Sequence, residues 1–183
     1  MEPITIGGKW LNDLNAELSG SDRACAVLAG AILDDRLKTL FERFLKPARN
    51  PKSDKLLGRS GAIESFSIRI ELASRLTLIS ESMRLALDVV REIRNDAAHL
   101  SDFSFDDDSV KDRVANLMAA HSFQTRAADD LTTPYDTNKG QFVFAVAMLV
   151  GALELETREV SRINLQPVDL LRNYVSGRSK SEA

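Results

Sequence analysis

The sequence predicts an all-α protein, built as a single-domain up-and-down bundle of five to seven helices. Two observations carry this. Leu (24) and Ala (20) supply about a quarter of the 183 residues while Trp, Tyr and Phe together add only 11, a balance that favours helix over sheet. Apolar residues then recur at spacings of three and four in segments separated by Pro, Gly and Ser, as in helices that each bury one stripe. At this length folding removes roughly 70% of the extended chain's surface from water, enough for one core without a covalent staple.

Taken in order, residues 1–20 read as an N-terminal lead-in, 21–175 as the bundle domain and 176–183 as a tail too polar to pack. Ser21 caps a first helix over 22–45, whose apolar positions Leu33, Leu37, Leu40, Phe41 and Phe44 share one side. Its uncharged half, residues 24–33, is expected to be buried all round, with Cys25 as a small buried hydrophobe rather than a reactive thiol. Residues 46–61, with Pro47, Pro51, Gly58 and Gly61, form a long loop. Ser65 opens a second helix to residue 79, with Phe66, Ile68, Ile70, Leu72 and Leu76 facing the core. Ser80 separates a third helix over 81–99, and a fourth follows over 107–123. A second long loop covers 127–140, a fifth helix 141–163, and Pro167 starts a short last helix to residue 175.

Charge and composition exclude several functions. Lys and Arg number 24 against 27 Asp and Glu, a net charge of −3, so direct grip on the phosphate backbone of DNA is not expected. One cysteine, Cys25, and two histidines, His99 and His121, are too few for Cys- and His-based metal chemistry, and no cofactor is expected. The N-terminus lacks a basic region followed by an apolar stretch, and the longest uncharged run, residues 140–153, is shorter than a bilayer span. A cytoplasmic protein without a membrane segment is expected.

One position breaks the pattern of the third helix. With Arg91 at 0° on a helical wheel, Met83, Leu87, Val90 and Ala97 form the apolar stripe, and Arg94 falls inside it. A guanidinium there must find a partner or reach water along its own stem. Arg91, Arg94, Asn95 and His99 span one arc of about 140°, with the small Ala98 near its middle. Two readings stand. In one, Arg94 pairs with a carboxylate such as Glu71 or Asp102, and His99 marks the helix end, where the macrodipole favours a cation. In the other, guanidinium, amide and imidazole present donors to one anion or phosphate. Arg94 and His99 are too splayed on a straight helix for one compact site, so either the helix distorts near Ala97 and Ala98 or a second subunit completes the site across a two-fold axis.

The run Arg91-Glu92-Ile93-Arg94-Asn95-Asp96-Ala97-Ala98-His99, followed by Phe103-Ser104-Phe105-Asp106-Asp107-Asp108, resembles the mannitol operon repressor family. The resemblance extends upstream through Phe66-Ser67-Ile68-Arg69-Ile70 and Ser21-Asp22-Arg23-Ala24-Cys25, which leads to Leu33-Asp34-Asp35, and covers residues 21–110, half the chain. It implies an all-α fold and a regulatory role. Because that family lacks a recognisable DNA-binding motif, it also implies repression through a protein partner. Arg94, Asn95 and His99 are similar as well to the signature of the HEPN superfamily, an Arg, a polar residue after it and a His a turn or more beyond. That likeness implies a homodimer whose two motifs share a cleft. If the domain is a metal-independent ribonuclease acting on RNA, His99 is general base or acid, Arg94 stabilises the phosphorane and Asn95 orients the phosphate. Many HEPN domains are noncatalytic binders.

Other signals are weaker. Asp106-Asp107-Asp108-Ser109-Val110 superficially matches a phosphotransfer motif but lacks the strand that chemistry needs; Asp106 as N-cap of the fourth helix is the simpler reading. Residues 102–113 fail as a calcium loop, since Asp107 replaces the required Gly and Arg113 the bidentate Glu. Residues 58–61 lack the Lys and spacing of a phosphate loop. His121 stands alone. Asp22 and Arg23, in the first turn of the first helix, either form a structural salt bridge or reach the Arg94 site. Gly151, Ala145, Ala147 and Ala152 are core residues that could also allow tight helix pairing in a dimer.

Overall fold

A computed structural model describes residues 9–17, 20–120 and 136–164, and all regular structure among them is helical. Helices α1 (Lys9–Ala16), α2 (Asp22–Phe44), α3 (Phe66–Arg75), α4 (Glu81–His99), α5 (Asp108–Ala120) and α6 (Asn138–Glu159) form one bundle, with a 3₁₀ turn at Pro51–Ser53. The starts of α2, α3, α4 and α6 are written in a hydroxyl. Ser21, Ser65, Ser80 and Thr137 each accept a hydrogen bond from the backbone N–H three residues on.

The central helix is α2, about 35 Å long, which packs against α1, α3, α4 and α6. Contacts fix the directions. Asp22 meets Lys139, Arg36 meets Glu154, and the Ile163 N–H reaches the Phe44 carbonyl at 2.8 Å, so α2 and α6 run parallel. Arg23 meets Ala98 and Gly30 meets Arg94, so α2 and α4 run antiparallel. α5 returns along α4 through Asp96 and Arg113, 2.5 Å apart. The start of α5 lies beside the start of α6, through Asp106 to Asn138 and Phe105 on Phe142, so α5 and α6 point the same way. The bundle is all-α but not a strict up-and-down alternation: α5 and α6 point the same way, and α2 and α4, separated by one helix, point opposite ways.

Several boundaries differ from expectation for local reasons. The lead-in carries α1, whose Leu14 is fully buried. The second helix stops at Arg75, four residues early, because the chain makes a Schellman turn. The Leu78 N–H reaches the Ala73 carbonyl, the Thr77 N–H reaches that of Ser74, and Thr77 is left-handed with φ of 54°. On this helix Phe66, Ile70 and Ala73 are buried, whereas Ile68 is 46% exposed, not a core residue. The fifth helix begins three residues early, since Gly140 donates its N–H to Thr137 Oγ1 as a helical residue rather than ending a loop. The apolar half of α2 is open on one side: Ala24, Val27 and Ala31 are exposed, because α4 and α6 cover only the stripe through Cys25, Ala29 and Leu33. His121, the expected end of the fourth helix, the short helix after Pro167 and the polar tail lie outside the described residues.

By length and composition α6 could cross a membrane, a broader measure than the uncharged run of residues 140–153; half of its most apolar stretch is buried inside the bundle. Phe142, Val143, Val146, Val150 and Leu153 are its core side chains.

Two stability predictions follow from this packing. A β-branched residue pays about 1–2 kcal/mol in the left-handed region, and glycine returns roughly half of that gain in backbone entropy. Thr77→Gly should therefore raise the unfolding free energy by about 0.5–1 kcal/mol in urea titration. Burial pushes the Cys25 thiol up to about 12 from 9.0. Ionisation above pH 9 then favours the unfolded chain, so stability should fall as pH rises from 9 towards 12. Native protein at pH 8 should react with a thiol reagent only as fast as it opens, and at once in denaturant.

Candidate functional site

The stripe of α4 lies where the wheel puts it: Leu87, Val90 and Ala97 are fully buried, joined by Ala86 and Ile93, with Met83 half-buried. Arg94 shares that side yet is exposed. Its stem crosses Gly30 of α2 so closely that a Cβ at Gly30 would lie 2.7 Å from Arg94 Cγ. Glycine is required by this approach, and the stem carries the charge out to water. At the surface Arg94 Nη1 donates to Asn95 Oδ1 at 3.0 Å. Among the described residues, Arg94 does not pair with a carboxylate. Glu71 is bound to Arg75 at 2.6 Å, and among the described residues Arg94 has no acidic partner within ion-pair distance.

The other expected site residues divide between structure and surface. Arg91 is held by Asp88 at 3.1 Å, and Asp88 also takes Arg84 at 2.7 Å. Arg84 grips Glu81 in turn, and that hydrogen bond holds the Glu81 carboxyl below its usual range. Arg91 thus ends a ladder of charges along α4. Asp22 accepts from Ser104 Oγ at 3.2 Å and the Phe105 N–H at 2.9 Å, and pairs with Lys139 Nζ at 3.2 Å. Lys139, only 9% exposed, also donates to the Gly20 carbonyl. Asp22 therefore joins α2, α6 and the α4–α5 connection, and faces away from Arg94. Arg23 Nη2 donates to the Ala98 carbonyl at 3.1 Å, satisfying one of the orphan acceptors at the end of α4.

That bond places Arg23 beside His99, the exposed last residue of α4. The helix continues unbroken through Ala97 and Ala98, so Arg94 and His99 stay about 7.5 Å and 140° apart along it. Distortion does not unite them within one chain. Asp106 does not cap α5; its side chain accepts from Asn138, while the Asp107 carbonyl accepts the first N–H groups of that helix, from Val110 and Lys111, and the Asp107 carboxylate takes the Ser104 N–H. Among the described residues no three His, Cys, Asp or Glu side chains converge where a metal ion could be held.

Behind Arg94 lies a cavity of about 270 Å³ between α2, α3 and α4, walled by Gly30, Asp34, Asp35, Lys38, Phe66 and Arg69. Arg69 is bound through Nη1 to Asp34. It was missed by sequence reasoning, although the signal that marked Arg94 applies to it: Arg69 falls in the stripe of Phe66, Ile70 and Ala73.

No protein-family model matches the chain, and no curated protein matches it. Among solved structures, the X-ray structure of the MtlR–HPr complex from Escherichia coli matches with a TM-score of 0.58 and 15% identity, over 80% of this chain and 99% of that chain. The fold is MtlR-like. At this identity the likeness is one of architecture, and it agrees with the resemblance carried by residues 21–110.

The Asp22 corner yields a prediction. Asp22→Ala leaves Lys139 buried on a single carbonyl and should cost about 2–3 kcal/mol of unfolding free energy. In a double-mutant cycle with Lys139→Met the two losses should fall well short of additive.

Proposed function

We propose that this chain is a regulator of the MtlR kind, repressor-type, that acts by binding a protein partner or an anionic ligand rather than by gripping DNA. The observation that carries the reading is Arg94: a guanidinium brought through an apolar seam to the surface, beside Asn95, with no carboxylate among the described residues to neutralise it. The buried and half-buried Arg69, Arg84, Arg91 and Arg113, which join or stiffen elements of the fold, are each paired with a carboxylate, and Arg94 is not among them. The net charge of −3 opposes a DNA-wide electrostatic grip, and the MtlR-like fold is one solved in complex with HPr. In this reading Arg94 and Asn95 are the contact residues, Arg23 and His99 extend the edge, and Arg91 and Asp22 keep it in shape. The protein works as a homodimer in the cytoplasm.

Titration of purified protein with HPr by calorimetry tests this. Saturable binding that Arg94→Ala weakens about tenfold or more, with Glu159→Gln little changed, is expected from the loss of a charge-assisted contact. Binding unaffected by Arg94→Ala, or tight sequence-specific DNA binding, overturns it.

A second reading has its own support: His99 is exposed on the same helix as Arg94 and Asn95, so two copies of α4 facing across a two-fold axis could bring Arg94 of one to His99 of the other. The protein would then be a metal-independent ribonuclease with Arg94 and His99 as its catalytic pair. Cleavage of single-stranded RNA in EDTA, lost in both Arg94→Ala and His99→Ala, would establish it; no cleavage across a broad RNA panel removes it.

A further inference from the structure

We propose that the cavity between α2, α3 and α4 is a carboxylate-binding pocket, with Arg94 as its exposed clamp and Arg69 as its buried donor. The inference rests on the reading of Arg94 as a binding group and supplies what that group binds.

Arg69 is 6% exposed, and its donors are not all used. Nη1 is taken by Asp34, Nε is sealed from solvent with no hydrogen-bond partner, and Nη2 makes no hydrogen bond among the described residues. Buried guanidinium donors are ordinarily satisfied, and since Nε is shut off from the cavity as well, the donor left for an acceptor that enters from the cavity Arg69 walls is Nη2. The charges around it say which acceptor. Asp34 is committed to Arg69, Asp35 lies 3.8 Å from Arg36, and Lys38 lies 3.8 Å from Glu42, which leaves Arg94 as the wall's uncompensated charge. One negative charge completes the set. A phosphate dianion would bring a second charge against two fixed carboxylates, whereas a carboxylate brings one and is planar, matching the guanidinium fork. A volume of about 270 Å³ admits a group the size of an acidic side chain. Gly30 keeps the floor low, since any side chain there displaces the Arg94 stem.

The carboxylate can be a Glu or Asp side chain of a partner or a free small acid, and the test separates them. Arginine Nε–H resonances of ¹⁵N-labelled protein, assigned with Arg69→Lys and Arg94→Lys, are followed during titration with sodium glutarate, with an acetylated pentapeptide carrying one central Glu, and with inorganic phosphate. Saturable shifts of both the Arg69 and Arg94 signals by the peptide support the pocket with a protein source; shifts by glutarate alone support it with a free acid. Gly30→Ala should weaken binding about tenfold or more and also lower a still cooperative melting transition, because the added Cβ would lie 2.7 Å from Arg94 Cγ and 3.1 Å from its Cβ, so the seam itself must give. Phosphate binding without carboxylate binding overturns the proposal, as does the absence of saturable shifts with any probe, or binding that Gly30→Ala and Arg94→Lys leave intact. HPr binding with no carboxylate binding would overturn this pocket and leave the regulatory reading standing; carboxylate binding with no HPr binding would keep the pocket, remove the HPr form of that reading and leave its anionic-ligand form.

Discussion

The close approach of α4 to α2 at Gly30 is the constraint around which the rest of the molecule is arranged. A helix pair can come this near only where one partner has no side chain, and the space is filled by the aliphatic stem of Arg94. The stem serves as core while its head remains at the surface, which resolves the conflict between an apolar stripe and a fixed charge. Along the same antiparallel seam the first turn of α2 reaches the last turn of α4, where Arg23 closes the Ala98 carbonyl. Gly30 and Arg23 are two turns apart on one face of α2, so the seam that packs the core also sets the edge on which Arg94, Asn95 and His99 are displayed.

The charged residues fall into two populations. Asp22 with Lys139, Asp34 with Arg69, Asp96 with Arg113 and the ladder from Glu81 to Arg91 join elements or stiffen α4. Their partners are charges of opposite sign, and their disruption would be felt in stability. Arg94 belongs to the other population, for its one hydrogen bond goes to a neutral amide in the next residue. A chain with 27 acids against 24 bases can still present a local, uncompensated cation, and the overall charge of −3 says nothing against that.

Much of this architecture was legible in the sequence, because the signals are local. The limits of α4 match to the residue, since Ser80 caps it and the periodic stripe runs to its end. Ser21 likewise starts α2, and Pro47 follows closely on its last residue. The failures share a cause too. The stop after Arg75 uses Thr77 where glycine is the usual signal, so a propensity argument runs through it to residue 79. Gly140 reads as loop but is a buried first-turn residue. At the site, the wheel identified Arg94 as anomalous but not its escape, which depends on Gly30, a residue 64 positions away. The pairing of Asp22 with Lys139 spans a longer separation, and no spacing rule on one helix could have revealed it.

The parallel alignment of α2 with α6 sets an order of events during synthesis. Leu33, Leu37 and Phe41 emerge early, but the α6 surface formed by Val143, Val146 and Val150 is more than a hundred residues behind them. A nascent chain that has completed α4 holds a hairpin-like half-bundle with one flank of α2 uncovered. Such long-range closure is slow relative to local helix pairing and leaves apolar surface open to chaperones in the interval. Among the described residues, the bond from the Ile163 N–H to the Phe44 carbonyl can form only once residue 163 has emerged, so the far end of the first long helix is sealed late.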